Sequence, residues 1–294
     1  MRVVRVLADN PVPFTLEGTN TWILGERPSL VIDPGPEDDR HLAAVAKEAG
    51  DVAAILVTHA HPDHAPGAGA LARQVGAPVM AFRPGPGQER IRDRQVVEAD
   101  GVRLRVVHTP GHTADHVVLW AASQAALFTG DAVLGRGTSV VNPPEGDLTA
   151  YLRSLRRMQA LEPRVLYPGH GPTVFEAAAK LEEYVSHRAM RERQVVDALR
   201  DGPRTARDIV PGIYGEYPPD LLPVAERQVL AHLVKLEREG IVERTGGGEA
   251  ALFRLIGGRP CDRCGHPAMA HSRLCRRCSL DALQEEPAPA PGPE

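Results

Sequence analysis

Aromatic residues are scarce in this chain, 4% of 294 residues, so any core must rest on aliphatic side chains. Cysteine is missing from the first 260 residues, and the four present, Cys261, Cys264, Cys275 and Cys278, fall within the last 34. That distribution excludes a secreted disulfide scaffold. No long apolar run exists: the most apolar stretch, His116 to Phe128, is interrupted by Ser123 and Gln124 and falls far short of a membrane span. Met1 to Asp9 carries no unbroken apolar segment of the kind found in a secretory leader. Charge of neither sign dominates, with 34 Lys and Arg against 38 Asp and Glu, a formal net of −4, which excludes a protein that is basic throughout. These absences lead to the expectation of a soluble cytoplasmic protein with no membrane partner.

What is present is an ordinary apolar fraction of 43% together with 28 glycines and 27 prolines, which implies many fixed turns. At roughly 150 residues per domain the length suits about two domains. Short aliphatic strands alternate with amphipathic segments over the first part of the chain. Val3 to Leu7, Thr21 to Leu24, Leu30 to Ile32, Val52 to Val57, Val79 to Phe82, Val102 to Val107, His116 to Trp120, Ala125 to Thr129 and Val165 to Tyr167 read as strands. Glu37 to Ala49, Gly67 to Val75 and Leu148 to Leu161 read as helices. Several strands follow one another without a helix between, so a layered αβ/βα arrangement fits better than a regular doubly wound sheet. From about Phe175 the texture becomes helical: Ala177 to Leu199, Thr205 to Val210 with Thr205 as N-cap, and Val224 to Glu239. Two β-like runs, Ile241 to Arg244 and Ala251 to Ile256, flank Gly246-Gly247-Gly248. Three helices and a glycine-tipped hairpin make a winged-helix pattern. The expected organisation is therefore a domain over 1–176, a winged helix over 177–256, a cysteine module over 257–281 and a Pro/Ala/Glu tail over 282–294.

The strongest chemical signal is His59-Ala60-His61-Pro62-Asp63-His64, placed where a buried strand opens into a loop. On extended backbone His59 and His61 point the same way and can share one ion, while Asp63 and His64 can face a second beside it. Imidazole with carboxylate suits zinc or a similar transition metal. His112, Asp131 and His170 occupy similar strand ends, each beside a glycine that lets backbone approach closely.

In these residues the sequence resembles the metallo-β-lactamase superfamily, whose HxHxDH motif, followed by His, Asp and His, is matched position by position. The resemblance implies an α+β fold, the αβ/βα sandwich of that superfamily. It implies His59, His61 and His112 at one metal, Asp63, His64 and His170 at the other, Asp131 as the bridge and Asp33 as a structural aspartate. The expected cofactors are two catalytic zinc ions, with Mn or Fe as alternatives. Two divalent ions about 3.5–4 Å apart lower the pKa of a bridging water toward ~7 and clamp the scissile oxygen, so no serine or cysteine nucleophile is needed. Asp63 and Asp131 are thus the expected catalytic carboxylates. His116 is a candidate either for supporting a ligand from behind or for protonating the leaving group.

Departures narrow the choice. His61 stands where the di-iron flavoprotein branch has Glu, Asp131 where the best-known zinc β-lactamases have Cys, and only 38 residues separate Asp131 from His170, too few for the inserted domain of mRNA-end-processing nucleases. Phe14 to Thr21, His108 to His116, Gly135 to Thr138, Tyr167 to Pro172, Ser186-His187-Arg188 and Leu233 to Gly240 resemble the β-lactamase-like protein 2 family of endoribonucleases, which carries a C-terminal winged helix. That resemblance implies metal-dependent cleavage of single-stranded RNA, with Thr19, Asn20, Arg136 and Thr138 as substrate-holding candidates. The alternatives are hydrolysis of a small ester or a glyoxalase II-like thioester and, from another class, a nucleic-acid-binding adaptor with an inactive site. Retention of every ligand argues against the last.

The winged helix carries 11 Lys and Arg against 13 Asp and Glu between Leu181 and Ile256, which disfavours duplex DNA as a partner because such binding runs on phosphate neutralisation. Cys261-x2-Cys264-x10-Cys275-x2-Cys278 has the spacing of a tetrahedral thiolate site, so one structural zinc in a small ribbon is expected. Arg259, Arg263, Arg273, Arg276 and Arg277 make this segment basic.

Overall fold

The structure, a computed structural model, describes residues 1–256. The cysteine module and the tail lie outside the described residues, and with them the expected structural zinc. The chain divides into two compact units after His187, within the helix that the sequence places from Ala177.

In the first unit the aliphatic strands form two sheets. The first has six strands in sequential order: β1 (Val3–Leu7), β2 (Asn20–Leu24), β3 (Ser29–Ile32), β4 (Val52–Val57), β5 (Val79–Ala81) and β6 (Glu89–Arg90). The second runs β11-β10-β9-β8-β7, from β7 (Val96–Ala99), β8 (Val102–His108), β9 (Val117–Ala121) and β10 (Ala126–Gly130) to β11 (Val165–Pro168). Alternation along each strand sends one set of side chains to a shared core, where Leu30, Ile32 and Leu56 of the first sheet meet Leu104, Leu119 and Phe128 of the second. The opposite face of the first sheet, through Val31, Ile55 and Val57, buries Leu42 and Val45 of α1 (Asp39–Ala49) and Leu71 of α2 (Gly67–Val75). The third helix, α3 (Leu148–Gln159), turns Tyr151, Leu155 and Met158 inward, and the Tyr151 hydroxyl donates to the Ala132 carbonyl. This is the expected sandwich. The sequence reading omits β6 and β7: the first is two exposed residues, and the second alternates exposed and buried over only four.

The parallel pairings β3–β4 and β10–β11 give those strands common C-terminal ends. Their exit residues, Asp33, Thr58-His59, Asp131 and Gly169-His170, with Thr109 to His112 after β8 and the loop from His61 to His64 after β4, carry every polar residue the motif singled out.

The helix α4 (Ala177–Ala198) continues into the second unit, which holds α5 (Ala206–Tyr214), α6 (Leu222–Arg238) and the hairpin of β12 (Val242–Thr245) with β13 (Leu252–Leu255). Thr205 caps α5 in a full capping box with Asp208. The helix runs on past Val210 through Pro211, contrary to the expected stop, because Val210 and Tyr214 anchor both sides of the proline in the core with Val229, Leu233 and Phe253. Beside that core lies a buried polar cluster: Lys235 donates to Glu192 at 2.9 Å, and Arg188 to Gln228 at 2.8 Å.

Candidate metal centre

Seven side chains from the strand ends converge on two adjoining donor sets. His59 Nε2 and His112 Nε2 each lie 2.9 Å from His61 Nδ1, and Asp131 Oδ2 lies 3.7 Å from His112 Nε2. Beside them His64 Nε2 and His170 Nε2 are 3.2 Å apart, with Asp63 Oδ2 at 3.4 and 3.0 Å and Asp131 Oδ1 at 3.3 Å from both. Asp131 therefore gives one oxygen to each set, and each set offers four ligand atoms.

The second ring nitrogens show why these atoms are available as metal ligands. The Asp33 carboxylate accepts from the Thr58 amide at 2.8 Å, the Thr58 hydroxyl at 2.7 Å and His64 Nδ1 at 2.9 Å. Since the Thr58 hydroxyl is spent on Asp33, it accepts from His59 Nδ1 at 3.0 Å. His112 Nδ1 donates to the Val140 carbonyl at 2.7 Å and His170 Nδ1 to the Gly18 carbonyl at 3.1 Å. In the neutral ring each bond fixes the tautomer that leaves Nε2 bare toward the centre, the usual arrangement around a bound metal. The bare nitrogens stand close to the roughly 3.3 Å edge of a tetrahedron with metal–nitrogen bonds near 2.0–2.1 Å. Asp131 Oδ1 is buried without a hydrogen-bond donor, an arrangement that costs free energy unless a cation meets it. The residues fit two divalent ions.

Electrostatics separate the sets. Burial holds His59 and His112 below the ordinary imidazole range, so they are neutral and available to coordinate. Burial also works against charge on His64 and His170, but Asp131, with Asp33 at His64, prevails. His64 is raised well above its usual value and His170 to about 9. The carboxylates of this second set thus attract positive charge.

Two glycines make the convergence sterically feasible. Gly169 packs so closely that a Cβ there would sit 2.7 Å from both Asp131 Oδ1 and His64 Cε1. Gly111 has φ +140° and would drive a Cβ to 2.3 Å from the Tyr151 backbone.

The remaining candidates fall in two groups. Thr19 and Asn20 are fully buried. The Asn20 amide donates to the carbonyls of Pro168 and Gly171, both at 2.9 Å, and Thr19 bridges His170, so they hold the His170 loop instead of reaching a substrate. His116 is likewise buried. Its Nε2 accepts the Asp131 amide at 3.1 Å and its Nδ1 donates to Thr109 at 3.0 Å. It supports Asp131 from behind, with both ring nitrogens occupied by protein partners. Arg136 and Thr138, in contrast, line a cleft of about 390 Å³ that opens over Asp63, His61 and Asp131. One wall of that cleft is Pro13, Phe14 and Leu16; the other includes Ser139, Val140 and Glu145. The sequence reading quoted Phe14 to Thr21 for its resemblance alone and assigned no site role to Pro13, Phe14, Leu16 or Glu145, which loop packing brings to the cleft.

The model of the metallo-β-lactamase superfamily matches residues 14–85 and 79–170. The chain belongs to that superfamily. A β-lactamase-associated winged-helix model matches residues 205–250 of this superfamily member. A β-lactamase-like protein 2 homolog from Caenorhabditis elegans is 34% identical over 87% of the chain and 90% of its own length. An atrochrysone carboxyl ACP thioesterase from Aspergillus chevalieri is 36% identical over 87% of the chain and 85% of its own length. A solved metallo-β-lactamase family protein from Thermus thermophilus superposes with a TM-score of 0.73 at 25% identity, over 86% of this chain and 98% of that one. No helix among the described residues is long and apolar enough to cross a membrane.

Proposed function

We propose that this superfamily member is a metal-dependent hydrolase of acyl thioesters. The cleft carries the reading. Its wall of Pro13, Phe14 and Leu16 is apolar, and Arg136, its single Lys or Arg among the described residues, is paired with Glu17 at 2.6 Å. An RNA strand needs several phosphates neutralised, whereas an acyl chain needs an apolar wall and one polar end. The thioesterase from Aspergillus supports the same choice.

Divalent ions held by the two sets would supply Lewis acidity toward the acyl carbonyl and lower the pKa of water. The chain does the rest. Phe14 and Leu16 lay the acyl group along the cleft, and Thr138 and Arg136 meet the polar end. Hydrolysis forms a bond from water oxygen to the acyl carbon and breaks carbon–sulfur. The sulfur leaves as thiolate, whose pKa near 8.5 demands no strong acid. That suits a cleft in which His116 is sealed away, while a ribose alkoxide would need a proton donor.

Single-stranded RNA is the second reading, favoured by Phe14: half exposed at 51% beside Arg136, it could stack a base. Zinc-loaded wild type and Asp63→Ala would be compared on a medium-chain acyl thioester and on end-labelled single-stranded RNA. Thioester turnover that falls at least about 100-fold in the variant is expected. RNA cutting lost in the variant, without thioester turnover, overturns the proposal in favour of the second reading.

A further inference from the structure

Four of the five histidines in the two donor sets have a firm partner for the ring nitrogen turned away from the centre, and all four partners are protein atoms packed around it. His61 is the exception. It faces the centre through Nδ1, and its Nε2 points outward, where the Glu145 carboxylate lies 3.7 Å away. Glu145 is 59% exposed and lines the cleft, so its carboxylate can rotate.

The loop that carries Glu145 is fixed at its base. The Asp147 amide donates to the Gly111 carbonyl at 2.8 Å and the Gly146 amide to Asn142 at 2.7 Å. The Asp147 side chain then caps α3. The same loop supplies the Val140 carbonyl that accepts from His112. One segment thus backs two of the three histidines of the first set while its other side chains, Thr138 and Ser139 among them, face the cleft.

We propose that Glu145 is the positioning residue for His61: its carboxylate accepts the Nε2 proton, fixes the tautomer that leaves Nδ1 bare, and so sets the metal affinity of the first donor set. Carboxylate partners of this kind tune imidazole ligands, and their loss typically costs about 10–100-fold in affinity. Because this partner is an exposed side chain at the cleft, it is also where a bound substrate touches the support of a ligand. The inference needs only the donor sets and is independent of the substrate reading.

The test is zinc affinity of the purified full chain, measured by competition with a chromophoric chelator and resolved into the two donor-set sites, apart from the zinc expected at the cysteine module. Wild type, Glu145→Ala, Glu145→Gln and Glu17→Gln are compared, with His61→Ala to mark the isotherm of the first set. Glu145→Ala is expected to weaken one site about 10–100-fold, leave the other within about 2-fold, and add nothing in the His61→Ala background. Glu145→Gln keeps a carbonyl acceptor for Nε2–H and is expected to restore most of the affinity, and Glu17→Gln, which removes a nearby charge without a histidine partner, to retain all of it. Unchanged affinity in Glu145→Ala overturns the proposal. So does a Gln variant as weak as the Ala variant, since charge alone would then be responsible. Circular dichroism on each variant confirms that the comparison is between folded proteins.

Discussion

Asp131 is the residue on which both donor sets depend, one oxygen in each. Asp131→Ala is expected to lower the bound metal by at least one equivalent relative to wild type by elemental analysis; an unchanged metal content would remove its bridging role. Its neighbour across the centre gives a purely steric counterpart. Gly169→Ala places a methyl 2.7 Å from Asp131 Oδ1 and His64 Cε1, a separation that real side chains do not tolerate. Weaker zinc binding at the second set is expected, with the far-ultraviolet spectrum unchanged. Normal zinc affinity in this variant would show that the loop yields. Both residues were legible beforehand, the aspartate from its place after a strand and the glycine from its place before a histidine. Glu145 was not. It lies in a loop with no motif, and its relation to His61 arises from two segments 84 positions apart in number, 61 and 145.

At the scale of elements, α6 contains a buried histidine outside the two donor sets. His232 is 1% exposed. Burial lowers its pKa, against the pull of Glu192 at 3.5 Å, and Arg188 and Lys235 add to the lowering. Above the unfolded value near 6.5 both states are neutral and the residue is without effect on stability. Below it the unfolded chain takes up a proton that the folded helix refuses, so stability falls as pH falls, by at most about 1.4 kcal/mol per pH unit. Urea unfolding at pH 7.5 and 5.5 should show this loss in wild type and a smaller one in His232→Gln; equal losses would assign the acid sensitivity elsewhere. The course of α5 through Pro211 belongs to the same scale. Sequence rules stop a helix there, but buried residues on both sides of the proline outweigh the missing hydrogen bond.

For the whole molecule, all seven side chains of the two donor sets lie in the first unit, between residues 59 and 170. A ligand that binds only the folded state stabilises by mass action, about 2.7 kcal/mol at a hundredfold excess over its dissociation constant. Chelation should therefore lower the melting temperature, and the same shift is expected in His232→Gln, whose change is confined to the second unit. A markedly smaller shift in that variant would mean that the units are coupled through the metal centre.

The sequence by itself determined the sandwich, the winged helix and the residues that gather in the two donor sets. Aliphatic period, turn residues and the spacing of His59, His61, Asp63 and His64 are local properties of the chain, and a short stretch suffices to show them. Only the tertiary structure decided the duties of the residues around those ligands. Thr19 and Asn20 turn out to hold the His170 loop, His116 to hold Asp131, and Pro13, Phe14 and Leu16 to wall the cleft. None of these duties is visible in a local pattern, because each is set by which distant backbone carbonyl, amide or loop packs against the side chain once the two sheets close on one core.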